Sequence, residues 1–207
     1  PFLTAAMHHI DACYFWRWAQ AGETPEAYGL RMANQLEEKI QELGEDSVAA
    51  FIAEPVVGAT LGAVAAEAGY FKRIREICDQ YGVLLILDEV MCGMGRCGTL
   101  FACEHDQVVP DMVCIAKGLG AGIQPIGAML CSAEIYSAVE QGSGFFQHGH
   151  TYLGHPAACA AGVAVLQEVE RHDLLNNVNA MGGNLMTALE ARFGQHPHVG
   201  DIRGRGL

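Results

Sequence analysis

Basic residues are scarce in this sequence. Twelve Lys and Arg stand against 24 Asp and Glu, a formal net charge of −12. A surface of that sign repels phosphate backbones, so nucleic acid is not expected as a partner. Long apolar runs are missing as well. The longest, "VLLILDEV" at 83–90, is broken by Asp88 and Glu89, and no membrane span is read. Residues 1–11 lack a basic start followed by an apolar stretch, so no signal peptide is read there. No two of the eight cysteines are spaced C-x-x-C, and Cys92, Cys97 and Cys103, five and six residues apart, match no zinc ribbon. Several lie in apolar runs (Cys114, Cys131, Cys159) and read as buried, reduced thiols of a cytoplasmic protein with no metal site. The clustered His148, His150 and His155 read as loop residues. The chain does not begin with Met and stops within "DIRGRGL", as a piece of a longer protein would.

What is present is core-forming material: 51% of the 207 residues are hydrophobic, enough for one domain of ordinary size. The aromatic stretch "CYFWRW" reads as core or dimer packing. Spacing predicts helices over 25–43, with Thr24 as N-cap and Gly44 as stop, and within 68–82. "SVAAFIAEPV", "MVCIAKG" and "IGAMLCS" read as strands. "VLLILDEV" reads as a strand buried on both faces. Further helices are expected near 132–142, from Pro156 and over about 174–193. The Ala and Gly along the helix from Pro156 imply a close neighbour. Strands alternating with helices indicate an α/β fold with a mostly parallel, mixed sheet flanked by helices. In such sheets functional groups gather at the carboxyl ends of strands, where Glu54, Asp88 and Lys117 fall.

The segment "IAKGLGAG" resembles a phosphate loop at first sight. A P-loop lysine follows its glycines, whereas Lys117 precedes Gly118, Gly120 and Gly122. A dinucleotide fingerprint fails too, because Ile123 stands where its last glycine belongs. That leaves the amine itself. In an apolar, glycine-lined setting, desolvation would lower its pKa and make it a nucleophile toward carbonyls. Asp88, a carboxylate at a neighbouring strand end, needs a positive partner: Lys117, or a pyridinium nitrogen. Pyridoxal phosphate uses both groups, a lysine for its aldehyde and an acid for its ring nitrogen. Arg96, between glycines, reads either as an anion ligand or as a structural pair with a carboxylate or backbone carbonyls.

The segments "FIAEPVVGA", the run from Gly69 to Gly122, "PIGAMLCS", "HGHTYLGHPAACAAGVAVLQ" and "DIRGRGL" resemble the class III aminotransferases, pyridoxal-phosphate enzymes of fold type I. The order Asp-Glu-Val, Gly-x-Gly-Arg-x-Gly, Pro-Asp, Ala-Lys-Gly is specific to that family, and Asp88 and Lys117 are 117 − 88 = 29 residues apart, as the family's pair is. The resemblance implies that Lys117 is the Schiff-base lysine and proton shuttle, Asp88 the pyridinium partner, and Val90 the side chain on one ring face. Thr151 would bind the cofactor phosphate of the neighbouring subunit in a homodimer, and Glu54 would be a polar anchor. Met91 stands where many members have a glutamine contacting the ring hydroxyl, a hydrogen bond Met cannot donate. Ala59 replaces a glutamate of members acting on diamino acids. "GHP" at 154–156 is similar to the branch pairing ω-amines with pyruvate, and Cys97 replaces the usual threonine. Residues 1–195 would then be the large cofactor-binding domain without its N-terminal part, and 196–207 the start of a small domain. The phosphate cup, the ring-stacking aromatic and the carboxylate-binding arginine would lie outside the chain. The implied reaction moves an amino group between an amine or ω-amino acid and a keto acid such as pyruvate. Other chemistry on the same cofactor (aminomutase, decarboxylase, lyase) and a non-catalytic or metal-binding truncated module are the alternatives.

Overall fold

A computed structural model describes residues 7–207; the first residues of the segment read for a signal peptide lie outside them. After a short helix α1 (Phe15–Trp18), α2 spans Pro25–Leu43. Thr24 Oγ1 accepts the Ala27 N–H at 3.2 Å, proline opens the first turn, and Gly44 at φ 96° ends the helix. Strands β1 (Ala50–Ala53), β2 (Val56–Val57) and β3 (Val64–Ala65) follow, then α3 (Tyr70–Tyr81), held between left-handed Gly69 and Gly82. Next come β4 (Leu84–Asp88), β5 (Met112–Ile115) and β6 (Ala128–Cys131). Helices α4 (Ala133–Gln141), α5 (Pro156–Arg171) and α6 (Leu174–Phe193) complete the order.

The main sheet runs β1-β4-β5-β6, with β1, β4 and β5 parallel and β6 antiparallel to β5. β2 and β3 form a separate antiparallel pair, and the predicted first strand stops before Pro55, as the proline indicates. The core lies on one face. Tyr28, Ile40, Ile74, Ile77, Leu85 and Leu87 are fully buried there between α2, α3 and the sheet. Each such aliphatic side chain contributes roughly 1.5–3 kcal/mol by leaving water.

The expectation that "VLLILDEV" is buried on both faces is corrected. Leu85 and Leu87 are buried, whereas Leu84, Ile86 and Asp88 are only half-buried. Helices α2 and α3 cover one face. The other stays open at Ile52, in register with Ile86 and 61% exposed, and at Met129, in register with Cys114. The same openness corrects the cysteine reading. Cys13, Cys78, Cys92, Cys97 and Cys103 are buried, but Cys131 on the edge strand and Cys159 on α5 are exposed. The aromatic stretch divides similarly: Tyr14 is buried, while Trp16 and Trp18 are exposed. The small residues of α5 do face a close neighbour, since Gly162 lies against Leu119 and Ile126.

Candidate active site

Because β1, β4 and β5 are adjacent and parallel, their carboxyl ends carry Glu54, Asp88 and Lys117 to one edge of the sheet. Asp88 pairs in register with Cys114, three residues before Lys117. Asp88 Oδ1 accepts the Val90 N–H at 3.0 Å, closing a local turn that starts the loop. Among the described residues nothing donates to Oδ2, so a half-buried carboxylate oxygen remains available at the strand end. Glu54 Oε2 accepts the Gly58 N–H at 3.0 Å and so anchors the turn after β2.

Lys117 begins a 3-10 turn, Lys117–Gly120, with φ 40°. Left-handed backbone costs a non-glycine residue roughly 1–2 kcal/mol, and such outliers cluster at functional sites. The lysine borders a cavity of about 580 Å³, lined also by Gly58, Met91, Met94, Leu185, Met186 and Arg203. Ala63 and Met94, at φ 59° and 55°, line the same cavity, so three of the left-handed non-glycine residues meet there. Among the described residues no Asp or Glu side chain belongs to the cavity wall, whereas Arg96, Arg203 and Arg205 do.

Several expectations change against this geometry. The amine was expected to be desolvated, but Lys117 is exposed, because the glycines around it supply no apolar cover. Asp88 and Lys117 form no ion pair, since no carboxylate lies within 4.0 Å of Nζ among the described residues. Two of the glycines after Lys117 give clearance to protein. A Cβ on Gly118 would lie 3.0 Å from Met94 Cβ, and one on Gly120 would lie 2.9 Å from Ile126 Cγ2. Only Gly122, at φ 76°, is required by backbone conformation. Arg96 donates to the Leu207 carbonyl at 2.8 Å, the structural role among its two readings.

Met91 is partly exposed and reaches over Gly58, where a Cβ would lie 2.6 Å from its sulfur. Val90, half-buried, is tied to Asp88 through its N–H. Cys97 packs with Val56, Cys92 and Ala102 in a small buried cluster, which accounts for a thiol at that position. Thr151 is exposed in the loop before α5 and does not border the cavity. The rings of His148 and His150 are 5.5 Å apart in that loop. Glu89, read from sequence only as a break in an apolar run, is fully buried next to Asp88 in the chain.

Residues 17–207 match the family model described as aminotransferase class-III. An aminotransferase of Gibberella zeae is 48% identical over 201 residues, 97% of this chain and 39% of its own length. Gamma aminobutyrate transaminase 3 of Solanum lycopersicum is 43% identical over 96% of this chain and 38% of its own length. The crystal structure of an (S)-enantioselective omega-transaminase from Thermomicrobium roseum superposes with a TM-score of 0.92 at 41% identity, covering 97% of this chain and 44% of that one. The chain thus spans less than half the length of these relatives.

Proposed function

The chain belongs to the class III aminotransferases, and on that premise we propose that it carries the reactive lysine of a pyridoxal-phosphate transaminase. The reaction moves an amino group between an amine or ω-amino acid and a keto acid such as pyruvate. One observation carries the reading: left-handed Lys117 follows β5 and Asp88 ends the neighbouring β4, and among the described residues neither the amine nor the second Asp88 oxygen has a partner. A carboxylate with one free oxygen fits a ring N–H, and an uncommitted amine fits an aldehyde.

Bound there, pyridoxal phosphate supplies an aldehyde for amines and a ring that draws electrons from the reacting carbon. The chain's own groups do the rest. Lys117 Nζ would hold the cofactor through its aldehyde and, once released by an incoming amine, would be free to take the proton from the donor's Cα. Asp88 Oδ2 would accept the ring N–H and keep that proton in place. Val90 would pack against the ring. Met91, a thioether, would offer an apolar contact in place of a hydrogen bond. Glu54 keeps the Gly58 turn clear beneath Met91. Thr151, exposed and away from its own cavity, is assigned to the cofactor phosphate of a second copy in a homodimer. Residues 196–207 begin a second domain. Among the described residues no helix is long and apolar enough to cross a membrane, and the free thiols favour a reducing compartment, read as the cytoplasm.

In the full-length protein, Lys117→Ala abolishes turnover and Asp88→Asn lowers it by several orders of magnitude. Near-wild-type activity in either variant ends the proposal. Alanine formed from pyruvate and an amine donor identifies transamination; its absence alongside other amine products identifies different chemistry on the same cofactor.

A further inference from the structure

Glu89 has no part in the proposed chemistry, yet it is the fully buried charged side chain of the described residues. A carboxylate in a dry interior is costly unless donors take its charge. Here Oε2 accepts the Ala102 N–H at 2.5 Å and Oε1 the Cys103 N–H at 2.8 Å. No lysine or arginine pairs with it among the described residues. Its backbone is engaged on both sides. The N–H donates to the Cys114 carbonyl on β5, and the carbonyl accepts the Gly93 N–H, each at 2.9 Å. Gly93 presses directly on Glu89, for a Cβ there would lie 2.8–2.9 Å from the Glu89 carbonyl oxygen, Cβ and Oε2.

Gly93 leads into left-handed Met94. Met94 Cβ in turn meets Gly118, the residue after Lys117. A continuous line of contacts therefore runs from the Glu89 carboxylate through Gly93, Met94 and Gly118 to Lys117. After the carboxylate, each step is backbone or Cβ, the parts of a residue that cannot swing away.

We propose that Glu89 is a positioning residue for Lys117: its buried carboxylate fixes the Gly93–Met94 turn, and that turn braces Gly118 and sets the direction of the lysine side chain. The inference rests on the reading of Lys117 as the reacting amine. Freed of the brace, Lys117 relaxes from its left-handed backbone, and its amine leaves the productive direction. A misplacement of about 1 Å costs on the order of 100-fold in rate.

The test uses the full-length holoenzyme. Glu89→Gln keeps the shape but turns an NH2 toward an N–H donor. Ala102→Pro removes one donor to Glu89 without touching Glu89, at a first helical position that tolerates proline after the extended Phe101. Gly118→Ala and Met94→Gly act at the far end. Glu89→Gln, Ala102→Pro and Gly118→Ala are each expected to lower kcat about 10–100-fold with KM for the amine little changed. In cofactor-free protein the time profile for modification of Lys117 by trinitrobenzenesulfonate at fixed pH changes with them. Met94→Gly combined with Gly118→Ala loses less than the product of the two single losses, because the contact exists once. Wild-type kcat and modification profile in folded Glu89→Gln or Ala102→Pro overturn the proposal, as do multiplicative losses in the double variant. If Glu89→Gln does not fold, Ala102→Pro and the Met94–Gly118 pair decide. An active Lys117→Ala variant would refute the functional reading itself, whereas an inactive one with silent brace variants refutes only the brace.

Discussion

Lys117 couples chemistry to strain. A lysine is required if an amine does the work, yet the backbone there is one that glycine would occupy at less cost. Two inactive substitutions separate these demands. Lys117→Gly is expected to be more stable than Lys117→Ala by about 1 kcal/mol, because it removes the Cβ that left-handed backbone penalises. Urea denaturation of the two variants measures this; equal midpoints would mean that the turn carries no strain. The thiols make a second residue-level case. Burial pushes Cys13 and Cys78 up to about 11 and Cys92 to about 12, from the 9.0 of an ordinary thiol. A raised folded-state value means that the native state holds its proton longer than the unfolded chain does. The stability tied to those protons is therefore complete below pH 9 and is lost as pH rises through 11 to 12. Chemical denaturation at pH 8 and 10.5 should show the fall, with Cys131 and Cys159 reacting first with a thiol reagent. A flat profile would contradict the burial argument.

Between elements, the loop after β4 meets the turn after β2, with Met91 lying over Gly58. Gly58→Ala should push the flexible thioether aside at little cost in stability and raise KM for the amine, because Met91 lines the cavity. Met91→Ala in the same chain should restore KM; no change with Gly58→Ala would show that the contact does not shape the site. Helices α2 and α3 were legible because capping residues and apolar spacing agree with their packing. The strand ends were legible because a polar residue after an apolar run has one favourable place in a parallel sheet. Glu89 was not, since a second acid beside Asp88 looks like surface until Ala102 and Cys103 are seen to donate to it. The left-handed turn at Met94 was equally hidden, as methionine has no preference for it. Nor could sequence show that β4 is covered on one face only, because an apolar run reads the same whether its cover comes from this chain or from elsewhere.

For the whole molecule, that one-sided cover is the governing fact. Ile74 is fully buried under α2 and Ile52 is 61% exposed on the open face, although both are isoleucines of regular elements. In the 207-residue chain alone, Ile74→Ala should therefore cost about 2–5 kcal/mol. Ile52→Ala should stay within about 0.5 kcal/mol, as exposed positions do. Should further polypeptide of a longer protein cover the open face, Ile52→Ala would become costly there. The same openness bears on cofactor retention. Lys117 is exposed at the sheet edge, so a cofactor joined to it in the chain alone stays in contact with water, and water competes for its aldehyde and phosphate. The 207-residue chain is expected to bind an apolar fluorescent dye, to associate at micromolar concentration, and to hold pyridoxal phosphate weakly, whereas the full-length protein holds it tightly. Borohydride trapping of the two side by side measures the difference. A stoichiometric, tightly held adduct on the 207-residue chain would show that the strand-end residues Asp88 and Lys117 suffice without that cover.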